Sequence, residues 1–378
     1  MSIYLDHAAT SPPTKNVLDY YRDVLSQFAY NPSSMHGAGK KARALIDESL
    51  DSIASCFGAT PEQVIVTSGG TEAINMALKG YVTPRRFTPH LLISAGEHKA
   101  VTAVANLLKA DGVKVTIIPL DRHGCPDISK VEQTKGLPPT MISVIGVSNE
   151  TGAATDIESI VAWRNEHVPH AVIHVDAVQA AGKQAIDFSG SDVDFLSLSA
   201  HKWGAPMGLG FLVAKKHTLL TPLISGAGQQ GGLRSGSENA PLIAATALAL
   251  TAAIDSLDKN KETAGRLKET LVDVLTEKNV PFDLVSPDSA LPHIVAISFP
   301  LMGETLVRVL SDQGIYIGRG AACSGGKQSE NMALSALGIA SDQSRRTVRI
   351  SFGPENNEAE IEALATAIEA AVRQYGTV

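Results

Sequence analysis

The chain has 378 residues, 44 % of them apolar and 19 % charged, which is enough apolar material for two or three domain-sized cores and excludes disorder of the whole chain. Its 32 Lys and Arg against 39 Asp and Glu leave a formal charge of −7, so a protein that coats nucleic acid is excluded, because phosphate neutralisation needs a basic face. The three cysteines, Cys56, Cys125 and Cys323, form no CxxC pair and leave an odd thiol, which argues against a disulfide framework or zinc cluster and for a reducing compartment.

Taken from the start, Met1 to His7 has neither the basic nor the apolar region of a leader, and a cytoplasmic location is expected. Ile46, Leu50, Ile53 and Phe57 mark one face of a helix that Gly58 ends. Val64-Ile65-Val66 reads as a strand running through Ser68-Gly69-Gly70-Thr71-Glu72 into a helix over 73–78. Leu91 to Ser94 is a strand; Val101, Val104, Ala105 and Leu108 are helical, Gly112 closes that helix, and Val113 to Ile118 is the next strand. Strand–helix–strand demands a parallel pairing with a right-handed crossover. Further strands are expected at Met141 to Val147, Val172 to Val175, Phe195 to Leu198 and Leu209 to Val213. The apolar run from Ala240 to Ile254 would span ~22 Å as a helix, short of a ~30 Å hydrocarbon core. It reads as a buried helix, of the kind that also suits a subunit contact. After about residue 255 the texture changes to a charged helix (Asp255 to Lys278) and shorter strands (Ile294 to Ser298, Val348 to Phe352), which suggests a second, smaller α/β domain.

Asp176 and Lys202 each follow an expected parallel strand, where open α/β sheets bind ligands. Their separation of 26 residues leaves room for one helix and one strand. A lysine there can form a Schiff base, and an aspartate can keep a pyridine nitrogen protonated, the two protein groups a pyridoxal phosphate (PLP) site needs most. Alone, either residue reads as a solvated charge or a strand-end cap. The turn at Gly69-Gly70-Thr71 adds backbone N–H groups, a hydroxyl and a helix N-terminus suited to an anion, although an ordinary capped βα turn has the same composition. Ser199 and His201 could donate to the same phosphate.

Seven segments then occur in the order seen in cysteine desulfurases, PLP enzymes of fold type I in the class V aminotransferase group. They are Tyr4-Leu5-Asp6-His7-Ala8-Ala9-Thr10, Thr67 to Glu72, Glu97-His98-Lys99-Ala100-Val101, Ser148-Asn149-Glu150-Thr151-Gly152, His174-Val175-Asp176, His201-Lys202 and Arg234-Ser235-Gly236-Ser237. The chain resembles that family over nearly its whole length. The resemblance implies an α/β fold with a large PLP-binding domain over 15–255, built on a mostly parallel seven-stranded sheet. A smaller α/β domain would comprise 1–14 and 256–378 and carry a cysteine loop. It further implies that Lys202 bears the cofactor, Asp176 pairs with the ring nitrogen, and His98 stacks on the ring. Asn149 and Gln179 would contact the PLP hydroxyl, and Gly70, Thr71, Ser199 and His201 the phosphate. Ser237 would reach the phosphate of a neighbouring subunit, making the unit a homodimer.

Cys323 lies in Gly318-Arg319-Gly320-Ala321-Ala322-Cys323-Ser324-Gly325-Gly326-Lys327, where glycines give mobility and Arg319 and Lys327 would favour the thiolate. It resembles the persulfide-carrying cysteine of the family's longer-loop subgroup, whereas Cys56 reads as a core filler and Cys125 has no functional reading. Arg349 alternates against Val348, Ile350 and Phe352, and resembles the arginine that grips the substrate α-carboxylate, a role in which Asn149 is also expected to share. Gly226 to Gly231 satisfies GxGxxG but opens no clear helix, so a dinucleotide site is not expected. The chain departs from the family at Ala205, at Ala321, after Arg349 (Phe352-Gly353-Pro354-Glu355) and by stopping at Val378 without the tail some members use to dock an iron–sulfur scaffold.

The expected activity is conversion of L-cysteine to L-alanine, with a persulfide left on Cys323 for a protein acceptor, either an iron–sulfur scaffold or a thiolation enzyme. No direct nucleic-acid or membrane partner is expected, and no metal. The alternatives are a selenocysteine or cystine lyase, a class V aminotransferase, and, in another class, a cofactor-free scaffold in a sulfur-transfer complex.

Overall fold

The computed structural model describes residues 2–83, 88–131, 137–215, 218–319 and 331–376. The expected Cys323 loop, with Ala321 and Lys327, lies outside the described residues.

The chain begins with a short strand, β1 (Ile3–Leu5), followed by helices α1 (Lys15–Phe28) and α2 (Gly37–Ser55). Gly58, at φ +63°, then turns the chain, a conformation glycine adopts without steric cost. The chain up to residue 214 supplies β2 (Val64–Thr67), α3 (Gly70–Val82), β3 (His90–Ser94), α4 (Lys99–Ala110), β4 (Lys114–Ile118), β5 (Met141–Ile145), α5 (Ile157–His167), β6 (Val172–Asp176), β7 (Phe195–Ser199) and β8 (Gly210–Ala214). Seven of these strands form one sheet in the order β2-β8-β7-β6-β5-β3-β4. Every pairing is parallel except the two made by β8.

The central strands are apolar-rich because both faces of the sheet are buried, and the polar side chains in them, such as Ser143 and His174, bond to each other. Leu92, Ile142, Val144 and Ile173 meet α2 and α6 (Ala240–Asp255) on one side. Leu91, Ile93, Met141 and Phe195 meet α3 and α4 on the other. Burying each such side chain contributes ~1.5–3 kcal/mol before the entropy cost. Ten of the sixteen residues of α6 are buried within this chain, as expected of the 240–254 run. No single described helix is long and apolar enough to cross a membrane.

A separate core is built by α7 (Leu257–Glu277), β10 (Ile294–Ser298), α8 (Gly303–Asp312), β11 (Ile315–Ile317), β12 (Thr347–Ser351) and α11 (Glu358–Tyr375); the same stretch of chain also holds β9 (Asp283–Leu284) and the short helices α9 (Met332–Ala336) and α10 (Ser341–Arg346), which add no residue to that core. Strands β12, β10 and β9 make an antiparallel sheet, and β1 pairs in parallel with β11. Leu5 is therefore part of this core although it opens the chain.

Two expectations change. Between Asp176 and β7 there is no helix. The chain closes in tight turns, with Ala180 and Ala181 N–H bonded to Ala177 O and Lys183 N–H to Ala180 O, and Gly182 at φ +74° ends the run after about one turn. Lys202 follows β7, which pairs in parallel with β6, and lies in the connection from β7 to its antiparallel neighbour β8. The helix after the glycine turn begins at Gly70, three residues earlier than the apolar pattern alone suggests.

Candidate active site

The site is assembled from the carboxyl ends of β5, β6 and β7. β6 ends on Asp176 and β7 on Ser199, and a single 3-10 turn, Ala200–Lys202, then turns the chain towards β8. The N-terminus of α3 approaches from the side. Gly70 permits this, because a Cβ there would lie 2.8 Å from Val178 Cγ2 and 3.3 Å from Ser199 Cβ. His98 caps α4, its Nδ1 accepting from Ala100 N–H at 3.1 Å; an accepting Nδ1 leaves the ring proton on Nε2. A cavity of about 550 Å³ results, lined by Gly70, Thr71, His98, Asn149, Asp176, Gln179, Ser199, His201, Lys202 and Arg349. Eleven of the twelve expected site residues are described, and ten of them border this one space. Ser237 does not; it is exposed elsewhere on the chain, and the neighbouring Arg234 pairs with Glu72 on the first turn of α3 at 2.9 Å.

The charges are set by burial. Asp176 is 3 % exposed and accepts one backbone hydrogen bond, from Val178 N–H at 3.1 Å. No ion pair of Asp176 occurs among the described residues, and desolvation pushes its carboxyl up, against the pull of His98 and Lys202. Lys202 Nζ donates to Ala8 O and Ala9 O, both at 2.7 Å. Burial, with Arg349 next, pulls that amine down to about 8. His201 is brought to about 4, chiefly by burial, and shares a hydrogen bond of 3.1 Å between Nδ1 and Thr10 Oγ1. It is neutral at pH 7.

Arg349 is anchored before any ligand arrives: Nη1 donates to Asn149 O and Nη2 to Asp6 Oδ1, each at 2.8 Å. Its Nε is buried without a hydrogen-bond partner among the described residues. Asn149 Nδ2 donates to Glu150 Oε1 at 2.7 Å, and Glu150 Oε2 accepts from Asn331 at 3.0 Å.

Four residues here escape sequence reasoning. Asp6 and Glu150 stand inside the family motifs, but nothing in their spacing says that they hold Arg349 and Asn149. Lys183, 6 % exposed, donates to Gln179 Oε1 at 3.0 Å. Glu97 is buried behind His98, accepts from Ser94 Oγ at 2.8 Å, and has one carboxyl oxygen without a partner. Burial, reinforced by Asp176, pushes Glu97 up to about 8. The departure at Ala205 is accommodated: its methyl is buried in the main core, and its φ is not positive.

A lysine and a buried aspartate at neighbouring strand ends, facing a helix N-terminus across one cavity, on a mostly parallel seven-stranded sheet, define a fold type I PLP-dependent transferase. Residues 3–364 match the Aminotransferase class-V family, and the chain belongs to that family, in its NifS/IscS-like branch. It is 34 % identical over 376 residues to the putative cysteine desulfurase IscS 1 of Bacillus subtilis, covering 98 % of this chain and 99 % of that one. Among solved structures, a NifS-like protein superposes with a TM-score of 0.93 at 29 % identity, covering 99 % of this chain and 100 % of the other. A second, SspA in complex with cysteine, gives 0.82 at 31 % identity, covering 94 % of this chain and 100 % of the other.

Proposed function

We propose that this protein is a PLP-dependent cysteine desulfurase that converts L-cysteine to L-alanine and leaves the sulfur as a persulfide on Cys323. The observation that carries the reading is that the buried Asp176 carboxyl, which has no ion pair among the described residues, and the depressed Lys202 amine line one cavity. These residues fit PLP. A pyridinium N–H would give Asp176 the cationic partner it lacks, and Gly70, Thr71, Ser199 and the neutral His201 ring form a donor-rich end for the phosphate. When bound, the cofactor supplies an electron sink that acidifies the Cα–H of an attached amino acid.

The chain's own groups do the rest. Lys202 Nζ would hold the cofactor, and its amine, which burial draws well below the usual lysine range, would take the Cα proton of the bound amino acid. Gln179 and Asn149 would hold the ring oxygen, His98 would lie against the ring and move the substrate thiol proton through Nε2, and Arg349 would orient the α-carboxylate. Attack of the Cys323 thiolate on the substrate sulfur would form the S–S bond as the Cβ–S bond breaks, the bond's electron pair staying with the carbon skeleton, which takes up a proton at Cβ, regains one at Cα and departs as alanine. Cys56 and Cys125 support this choice by their unsuitability. Burial raises both thiols, Cys125 to about 11, and neither lines the cavity. Ser237 is assigned to the phosphate site of the second subunit of a homodimer. We further divide the chain into a large domain, 15–255, and a small one, 1–14 with 256–378, place it in the cytoplasm, and give it a protein sulfur acceptor.

Borohydride reduction of the yellow protein followed by peptide mapping tests the reading. The label is expected on the peptide containing Lys202. A label on Lys183 or Lys79 overturns it. Supplying cysteine with a keto acid separates the aminotransferase alternative: alanine with persulfide supports the desulfurase, and amino transfer without persulfide opposes it.

A further inference from the structure

Lys183 stands out beside the site, against the cavity-lining Gln179, as a buried amine that the chemistry above does not use. It is 6 % exposed, and the ionisable groups whose charge it feels or influences are Lys202, Arg349, His7, His201 and His293. All are bases. Among the described residues Lys183 has no carboxylate partner, and a buried amine in that company is unfavourable unless a specific contact requires it. A leucine or methionine would fill the same space without that penalty. Burial, then Lys202, pulls the amine down to about 7.

Its one described side-chain contact is with Gln179. Lys183 Nζ donates to Gln179 Oε1 at 3.0 Å, and Gln179 Nε2 donates to Ala8 O at 2.8 Å. A backbone carbonyl can only accept, so both contacts demand the same face of the carboxamide. Ala8 O is also one of the two acceptors of Lys202. The turn between them sets the reach: Gln179 and Lys183 are four residues apart, and Gly182 at φ +74° tucks against Trp203 and Ala253.

We propose that Lys183 is a positioning residue that locks the Gln179 carboxamide with its oxygen turned away and its NH2 held at the cavity, so that the site offers a hydrogen-bond donor to an anionic ring oxygen. Without Lys183 only the Ala8 carbonyl resists rotation of the carboxamide, which then presents its oxygen part of the time and repels such a group. The inference rests on the PLP reading of the site.

The test is spectroscopic. In Lys183→Met the donor to the ring oxygen is lost part of the time, which makes the neighbouring lysine–cofactor nitrogen more basic. The pH midpoint of the visible cofactor band should therefore rise by about one unit, and PLP binding, followed by fluorescence, should weaken about tenfold. In a Gln179→Leu background the same lysine change should add nothing, because the effect passes through Gln179. If Lys183→Met does not fold, Gln179→Glu serves: it keeps an oxygen for Lys183 but turns an acceptor to the cavity, and should weaken PLP about tenfold or more. An unchanged midpoint and affinity in Lys183→Met, equal shifts with and without Gln179, or wild-type PLP affinity in Gln179→Glu each overturn the proposal. Failure of the wild-type chain to take up PLP overturns the functional reading instead.

Discussion

Glu97→Gln reports directly on how the floor of the site is charged. Glu97 is wholly buried, and its carboxyl is raised from 4.5 to about 8 by burial first and Asp176 second. An acid whose folded pKa lies above its unfolded value binds more protons when folded, so stability falls as pH rises, beginning near 4.5 and ending near 8. At about 1.36 kcal/mol for each pH unit, crossing that window removes about 5 kcal/mol. Glutamine is neutral throughout and can still accept from Ser94. It places an NH2 where Glu97 Oε2 has no partner, at a cost of about 1–3 kcal/mol at every pH. The variant should therefore be less stable than wild type at about pH 4.5 and more stable by about 2–4 kcal/mol at about pH 8.5. Equilibrium urea unfolding of cofactor-free protein at the two pH values gives the comparison. A difference between the proteins that does not change with pH would refute the claim that this acid is held neutral.

Three further outcomes are expected. Asp176→Asn should retain PLP but exchange the cysteine Cα proton in deuterated water about a hundredfold or more slowly; exchange at the wild-type rate removes Asp176 from the ring-nitrogen role. Cys323→Ser should keep Cα exchange while alanine and persulfide nearly vanish, with Cys56→Ser close to wild type; alanine at the normal rate from Cys323→Ser overturns the persulfide assignment. His293 has both ring nitrogens buried without partners, and burial, then Lys183 and Lys261, lower it to about 3. Its neutral form is favoured in the folded state, so stability is present above 6.5 and lost as pH falls. His293→Phe should thus gain about 3 kcal/mol on wild type between about pH 7 and about pH 4.5, read from urea midpoints, and an equal difference at both pH values counts against it.

Strands are legible where local pattern and burial agree. Met141 to Ile145 and Phe195 to Ser199 are sandwiched between helices, so their apolar runs carry the signal unaided. The 177–183 segment misleads because its apolar residues, Ala177, Val178, Ala180 and Ala181, suit a helix, while a single glycine at positive φ ends it. The ligand-facing residues are legible only through ordered motifs: Asp176 and Lys202 look like surface charges until the strand ends bring them together. Their supporters are not legible at all. Asp6 reaches Arg349 across 343 residues of sequence, Asn331 reaches Glu150 across 181, and no local period encodes such pairings. Lys183 and Glu97 have side chains that belong on a surface by composition, and only the tertiary arrangement shows them buried.

The hold of Ala8 and Ala9 on Lys202 also fixes a timetable for the nascent chain. Residues 3–5 are made long before their strand partner, 315–317, and Asp6 bridges Ser351. The seven-stranded sheet is complete in sequence once residue 214 has been made. Domains form as they emerge during synthesis, and contacts of long sequence separation close late. From then until Ser351 is added, the lysine loop is present while the segment that should receive its amine has no strand to rest on. The reactive centre is finished only after residue 351 has been added, which ties its assembly to completion of the second core.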